Sequence, residues 1–184
     1  MHLLDEGEEI LDRATAEAAR LDRFLHDFQI FAGLRPMRRE SVDIRDVVHE
    51  AIDGLSWPAE VRVTRHLETA AVMRVDRWLL AHAVRNLVLN ALEAVGAHGC
   101  VAIELARAGS AVVLSVRDDG PGIPAELGEQ ILDPLFTTKF SGTGLGLTIV
   151  QRVADAHGAA LEIRNLPGRG AMFSIRWAGE ATES

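Results

Sequence analysis

Two glycine-rich segments restrict this chain more than anything else in it: Asp118-Asp119-Gly120-Pro121-Gly122-Ile123 and Gly142-Thr143-Gly144-Leu145-Gly146-Leu147. The first follows the hydrophobic run AVVLSV and so sits at the end of a strand. The second runs straight into the amphipathic stretch LGLTIVQRVADAHG and so opens a helix. Upstream, RNLVLNALEAV carries Asn86 and Asn90, four residues apart and therefore on one face of a helix. Taken singly, each could be a β-turn, a surface amide pair or a helix start. Together, in this order, they describe a nucleotide site.

The chemistry follows from the residue types. A carboxylate at a strand end, Asp118, can accept a hydrogen bond from an exocyclic amine such as adenine N6. Gly120 and Gly122 beside it admit a flat base without Cβ clashes. Amide oxygens suit Mg²⁺, a hard cation that keeps most of its waters and shares phosphate oxygens with its nucleotide. Gly142, Gly144 and Gly146 leave backbone N–H groups free at a helix start, where the helix dipole favours an anion. No G-K-[ST] follows, so this is not a Walker loop. Lys139, just upstream in FTTK, can reach a γ-phosphate.

The 184 residues suit one domain of ordinary size with an appendage. With 48% hydrophobic and 25% charged residues, the chain reads as soluble and globular rather than disordered. A net charge of -8 argues against general binding to nucleic acid or anionic membranes. Cys100 is the single cysteine, so no disulfide closes within the chain and a reducing interior fits. No run approaches the roughly 18 apolar residues of a spanning helix, and no signal peptide stands at the start.

Residues 3–32 read as one long amphipathic helix. A heptad frame puts Leu4, Leu11, Ala18, Leu25 and Ala32 at a, Gly7, Ala14, Leu21 and Phe28 at d, and Leu3, Ile10, Phe24 and Phe31 on the adjacent row. That stripe is wider than a two-stranded seam and suits a helix bundle, although the helix could also pack on its own domain. The chain enters it in mid-pattern, as a fragment of a longer protein would. Gly33, Pro36 and the basic residues Arg35, Arg38 and Arg39 end the helix in a linker. SVDIRDVVHEAIDGL begins extended and becomes a helix with Asp43 as N-cap. Strands are expected at 61–67 and 71–76, a helix at 77–95, and an antiparallel pair at 101–109 and 111–119. A helix at 146–157 and a hairpin turning at Pro167-Gly168 follow, with a frayed tail over 179–184. The fold class is α+β, a two-layer α/β sandwich preceded by a long N-terminal helix.

These residues resemble the catalytic, ATP-binding region of a sensor histidine kinase of two-component signalling, in the GHKL superfamily shared with gyrase B subunits and heat-shock chaperones. RNLVLNALEAV is similar to the N box, DDGPGI to the G1 box, ILDPLFTTK to the F box and GTGLGL to the G2 box, and the resemblance covers residues 41–177. It implies a Bergerat ATP-binding fold with ATP and Mg²⁺ as cofactors. Asp118 would contact adenine, Asn90 would ligate the metal and Asn86 would support the metal–phosphate cluster. Gly120 and Gly122 would flank the base. Gly142, Thr143, Gly144, Leu145, Gly146 and Leu147 would line the phosphates, and Lys139 would be a lid-borne cation. Only 19 residues separate Gly122 from Gly142, a short lid similar to the nitrogen-regulation-like branch.

The resemblance also assigns residues 1–35 to the second helix of a dimerisation and phosphotransfer hairpin plus hinge, and residues 36–180 to the ATP-binding domain. It implies a homodimer through the N-terminal helix, a response-regulator receiver domain as partner and a cytoplasmic location. Any membrane attachment would come through segments outside these residues. The acceptor histidine is expected on the preceding helix; His26, at a solvent-facing b position, is the local alternative.

Several positions depart from the family pattern. His82 stands where a Glu or Gln is common, four residues before Asn86, and is grouped with Asn86 and Lys139 as catalytic. Asp119 replaces the usual Asn of G1, Leu132 and Leu135 replace F-box aromatics, and Ala171 replaces a Thr that helps hold an adenine-bound water. An anti-sigma-factor-type kinase or switch, and an ATP-binding adaptor without turnover, are the alternatives to a histidine kinase. The bundle-type N-terminal helix favours the kinase.

Overall fold

The computed structural model describes residues 2–67, 70–137, 143–166 and 170–178, and within some of these only the backbone. Lys139, Gly142, the Pro167-Gly168 turn and the 179–184 tail therefore lie outside the described residues. The chain divides into two compact units, Met1–Pro36 and Met37–Ser184.

The first unit is helix α1, His2–Phe31. It ends as its sequence dictates. Gly33 takes a φ of 66°, which a glycine adopts without penalty, and the Gly33 and Leu34 amides donate to the Ile30 and Gln29 carbonyls. This pattern satisfies two carbonyls that the helix end would otherwise leave open. Along α1, Leu11, Leu21, Phe24, Leu25 and Phe28 are all exposed, and the Phe24 and Phe28 rings stack with centroids 6.4 Å apart.

The second unit runs β1 (Glu40–Asp43), α2 (Ile44–Ile52), β2 (Val61–His66), β3 (Val72–Val75), α3 (Arg77–Val95), β4 (Gly99–Ala108), β5 (Ala111–Asp118), α4 (Gly146–Ala156), β6 (Ala159–Leu166) and β7 (Gly170–Trp177), with a short 3-10 helix at Gly128–Leu132. A five-stranded sheet has the order β2-β4-β5-β7-β6, and β1 pairs with β3 in a separate two-stranded ribbon. β2 and β4 are parallel; the other pairs are antiparallel. The sheet is thus mixed, because the β2-to-β4 connection contains α3 and returns in the same direction.

Two-residue alternation sorts the faces. Val101, Ile103 and Leu105 of β4, Leu114 and Val116 of β5 and Ile175 of β7 are buried on the side covered by helices. From that side Ile44, Val47 and Val48 of α2, Leu80, Leu87 and Val88 of α3, and Ile149 and Val150 of α4 complete the core. The opposite face carries Glu104, Arg117, Glu162 and Arg176, of which Glu162 and Arg176 approach to 3.7 Å. Helices on one face and charged residues on the other make the two-layer α+β sandwich expected from the sequence. Among the described residues no helix is long and apolar enough to cross a membrane.

Caps set where the helices begin. Asp43 accepts from the Arg45 amide at 3.0 Å at the start of α2. Two contacts from the Arg45 guanidinium, at 2.6 and 3.0 Å, also hold its carboxyl below the usual range. Asp76 caps α3 through the Leu79 amide at 3.0 Å. Asp76 is almost wholly buried, and its second carboxylate oxygen accepts the Arg38 amide at 2.7 Å.

His157 closes the far end of α4 against the same cap. The Asp76 N–H donates to Nε2 at 2.8 Å, and Nδ1 lies 2.7 Å from the Val153 carbonyl. A carbonyl only accepts, so Nδ1 carries the proton and the ring is neutral. Burial pushes the His157 pKa down. The Arg39 guanidinium donates to the Ala156 carbonyl at 2.6 Å, so the chain entering this unit is tied to the ends of α3 and α4 together.

Candidate functional site

The register of the sheet delivers Asp118. It follows Leu114 and Val116 at two-residue steps, so it is the last helix-facing residue of β5, opposite Val101. Its side chain is 3% exposed. Oδ1 accepts the Gly120 amide at 2.9 Å and the Ala171 amide at 3.3 Å. Burial nevertheless raises its pKa, outweighing the lowering by those two amides.

Close packing explains the glycines around it. A Cβ on Gly120 would meet the Ala94 carbonyl oxygen and Asp118 Oδ1, each at 2.9 Å, and one on Gly170 would overlap the Asp118 carbonyl. Gly122 has a φ of 77°, and a Cβ there would come 2.6 Å from Asn165 Oδ1. Ala171, buried beside it, supplies its backbone amide to Asp118.

Asp119 is accommodated without loss. Its Oδ1 accepts the Cys100 amide at 2.7 Å while its own amide donates to the Cys100 carbonyl at 3.2 Å. That position requires an acceptor oxygen, which Asp supplies as well as Asn.

At the other end, α3 projects Asn86 and Asn90 from one face, both half-buried. Asn86 Nδ2 is buried without a hydrogen-bond partner among the described residues. A Cβ added to Gly146, the first residue of α4, would lie 3.9 Å from the Asn86 carboxamide carbon, so the asparagine abuts this helix start. α4 has no side-chain N-cap bond. Its first amides and the positive end of its dipole are thereby left available to an anion.

The approach to α4 is tight. Gly144 has a φ of 67°, and a Cβ there would overlap the Leu135 backbone. The Leu135 amide donates to the Gly144 carbonyl at 3.0 Å, and Leu135 itself takes a φ of 67°, a strained value for leucine. Thr143 Oγ1 accepts the Leu145 amide at 3.3 Å. The Leu145 side chain is buried in the core, so only its backbone faces the segment; Leu147 is half-buried. On α3, the half-buried His82 ring stacks on Trp78, with centroids 5.5 Å apart at 20°.

Two residues of the surroundings escaped the motif reading. Thr148 donates to the Leu132 carbonyl at 3.0 Å and anchors the 3-10 segment to α4. Asn165 bonds both backbone groups of Ile123, accepting its N–H at 2.9 Å and donating to its carbonyl at 2.6 Å. The alternation of β6 held the signal for Asn165, since it continues Leu161 and Ile163 on the helix-facing side where an apolar residue is expected.

Residues 75–180 match the family model described as histidine kinase-, DNA gyrase B-, and HSP90-like ATPase. The chain is similar to the sensor histidine kinase ZraS of Escherichia coli O157:H7, 31% identical over 175 residues that cover 92% of this chain and 38% of that protein. It is also similar to the nitrogen regulation protein NtrY of Azorhizobium caulinodans, 29% identical over 192 residues, covering 97% of this chain and 25% of that one. Among solved structures, the mycobacterial sensor histidine kinase MprB superposes with a TM-score of 0.65 at 27% identity, covering 77% of this chain and 98% of that one. The chain thus spans less than half the length of either curated relative.

Proposed function

Because the chain belongs to the histidine kinase-, DNA gyrase B-, and HSP90-like ATPase family, we propose that it is the ATP-binding kinase core of a sensor histidine kinase. In this reading residues 36–180 bind ATP with Mg²⁺ and transfer the γ-phosphoryl group to a histidine on a helix outside these residues, for relay to a response-regulator aspartate. Residues 1–35 are the second helix of the dimerisation hairpin and its hinge. The observation that carries the reading is the meeting of Asn86, with its partnerless buried Nδ2, and the uncapped start of α4 at Gly146. A buried donor beside free helix amides is matched by phosphate oxygen.

Each residue then has a role. Asp118 accepts from the exocyclic amine of adenine, with Gly120 and Gly122 leaving room for the ring. Asn86 donates to phosphate. Backbone amides of Thr143, Gly144, Gly146 and Leu147, with that of Leu145 once it leaves Thr143 Oγ1, and with Gly142 and the Lys139 ammonium, neutralise the phosphate tail. His82, stacked on Trp78 and four residues before Asn86, is the remaining catalytic candidate.

The donor set fits a nucleotide-borne metal. Asn90, on the same face of α3 as Asn86, would hold Mg²⁺ through its amide oxygen, a hard donor of the kind that cation takes. Mg²⁺, when bound, would neutralise phosphate charge. The fixed amides at the α4 start stabilise charge on the transferring group while a neutral imidazole attacks in line. The exposed row Leu11, Leu21, Leu25 and Phe28 on α1 supports pairing of two copies through a helix bundle.

Calorimetry and a phosphotransfer assay test this reading. Heat from ATP with Mg²⁺ is expected, competed by ADP. Labelled ATP should place acid-labile phosphate on a separately supplied phosphotransfer hairpin and none on the chain alone. Silence at millimolar nucleotide refutes ATP binding; label on the chain that vanishes in His26→Ala moves the acceptor to α1.

A further inference from the structure

We propose that Asn165 is a positioning residue for the base end of the nucleotide site, a role that rests on the ATP-binding reading above. Pairing puts Asn165 opposite Ala171, and Ala171 donates to Asp118 Oδ1, so the three residues line the same end of the sheet on its helix-facing side. From there the Asn165 carboxamide reaches the loop that leaves β5. It takes the Ile123 N–H on Oδ1 at 2.9 Å and gives its own N–H to the Ile123 carbonyl at 2.6 Å. A carboxamide carries donor and acceptor on one planar group, so it bonds Ile123 as a residue of a neighbouring strand would.

The loop is therefore fixed at three points. Asp118 holds the Gly120 amide, Asp119 exchanges bonds with Cys100, and Asn165 grips Ile123. Gly122 fits the third grip: at φ 77° and without a Cβ it lets Asn165 Oδ1 approach, whereas a methyl group would stand 2.6 Å from that oxygen.

The bonds lie at the surface. If they are broken, water satisfies Ile123, and folding loses little. What is lost is the order of the loop before the base arrives, which binding would then have to supply. Affinity should fall while stability holds, and only ligands that engage the base should notice.

The experiment measures binding of ATP and of inorganic tripolyphosphate to the whole chain with Asn165, Asn165→Ala and Asn165→Asp, alongside thermal unfolding and amide exchange at Ile123. Asp keeps the acceptor for the Ile123 N–H but sets a carboxylate oxygen against the Ile123 carbonyl, and that repulsion should release the loop as Ala does. Both variants should weaken ATP on the order of five- to tenfold, the worth of one ordinary hydrogen bond. Tripolyphosphate binding should be unchanged and the midpoints should stay within about 2 °C. ATP affinity within about twofold of the unchanged chain overturns the assignment, as does equal weakening of both ligands. If the unchanged chain takes up no ATP, the nucleotide reading fails instead. In that case faster Ile123 exchange in Asn165→Ala still upholds the grip on the loop, and unaltered exchange overturns it.

Discussion

Replacing Asp118 by Asn separates recognition from stability at the most buried charge of the site. Both hydrogen bonds that Asp118 accepts, from Gly120 at 2.9 Å and Ala171 at 3.3 Å, fall on Oδ1. An asparagine can keep Oδ1 in place for them and present Nδ2 where the second carboxylate oxygen stood. The exocyclic amine of adenine would then face a donor instead of an acceptor. A mismatched buried polar contact costs about 1–3 kcal/mol, so ATP binding should weaken by roughly 5- to 150-fold.

Stability should move the other way. Burial raises the Asp118 pKa, so the folded state disfavours the ionised form present at neutral pH. The sign follows from linkage. A raised folded pKa gives a contribution that is full below the ordinary value of 3.8 and is lost as pH rises through the folded pKa. The Asp118→Asn variant has no charge to desolvate there, so without nucleotide it should match or exceed the wild type, with about 2–4 °C for each kcal/mol. Calorimetry with ATP and a thermal melt without it give the two numbers. Unchanged ATP affinity would refute the assignment of Asp118 to the base. A large drop in the nucleotide-free midpoint would show that its role is structural.

His157 should make the fold sensitive to acid. Its folded pKa is lowered from 6.5, chiefly by burial, with Arg39 adding to this while the Val153 carbonyl and Asp76 oppose it; its contribution is therefore present above 6.5 and lost as pH falls through the folded pKa. Melts between pH 7.5 and 5.5 should show a steeper loss for wild type than for His157→Ala, and equal slopes would contradict this. Gly144→Ala should lower stability by about 2 kcal/mol or more, because its methyl meets Leu135 backbone at a left-handed φ; a denaturant midpoint close to wild type would refute the clash. Removing residues 1–32 should leave a soluble monomer that still binds ATP, while the full chain pairs through Leu11, Leu21, Leu25 and Phe28. Light scattering decides it, and a monomeric full chain at high micromolar concentration would contradict the pairing.

Local pattern carried the elements of the site a long way. The helix expected at 77–95 is Arg77–Val95, which the structure caps with Asp76, and the strand expected at 111–119 is Ala111–Asp118. The helix expected at 146–157 is Gly146–Ala156, closed by His157. These features depend on residues within one or two turns of each other, where apolar period, caps and glycines act directly. That local chemistry also made Asp118, Asn86, Asn90 and the two glycine runs recognisable as candidates, since a strand end and a helix start are properties of a short segment.

Pairing and proximity over long separations were decided by the tertiary structure. No periodicity tells β2 to run parallel to β4, or β1 and β3 to leave the main sheet; burial of the shared helix layer selects those partners. Asn165 and Ile123 are 42 residues apart, and His157 and Asp76 are 81 apart, so the sequence around each names no partner, even where the alternation of β6 marks Asn165 as out of place. The same holds for Leu135, whose strained φ becomes intelligible only against Gly144. Side chains that bond at a distance read as ordinary polar residues until packing closes the chain around them, because their energy comes from partners that only the fold supplies.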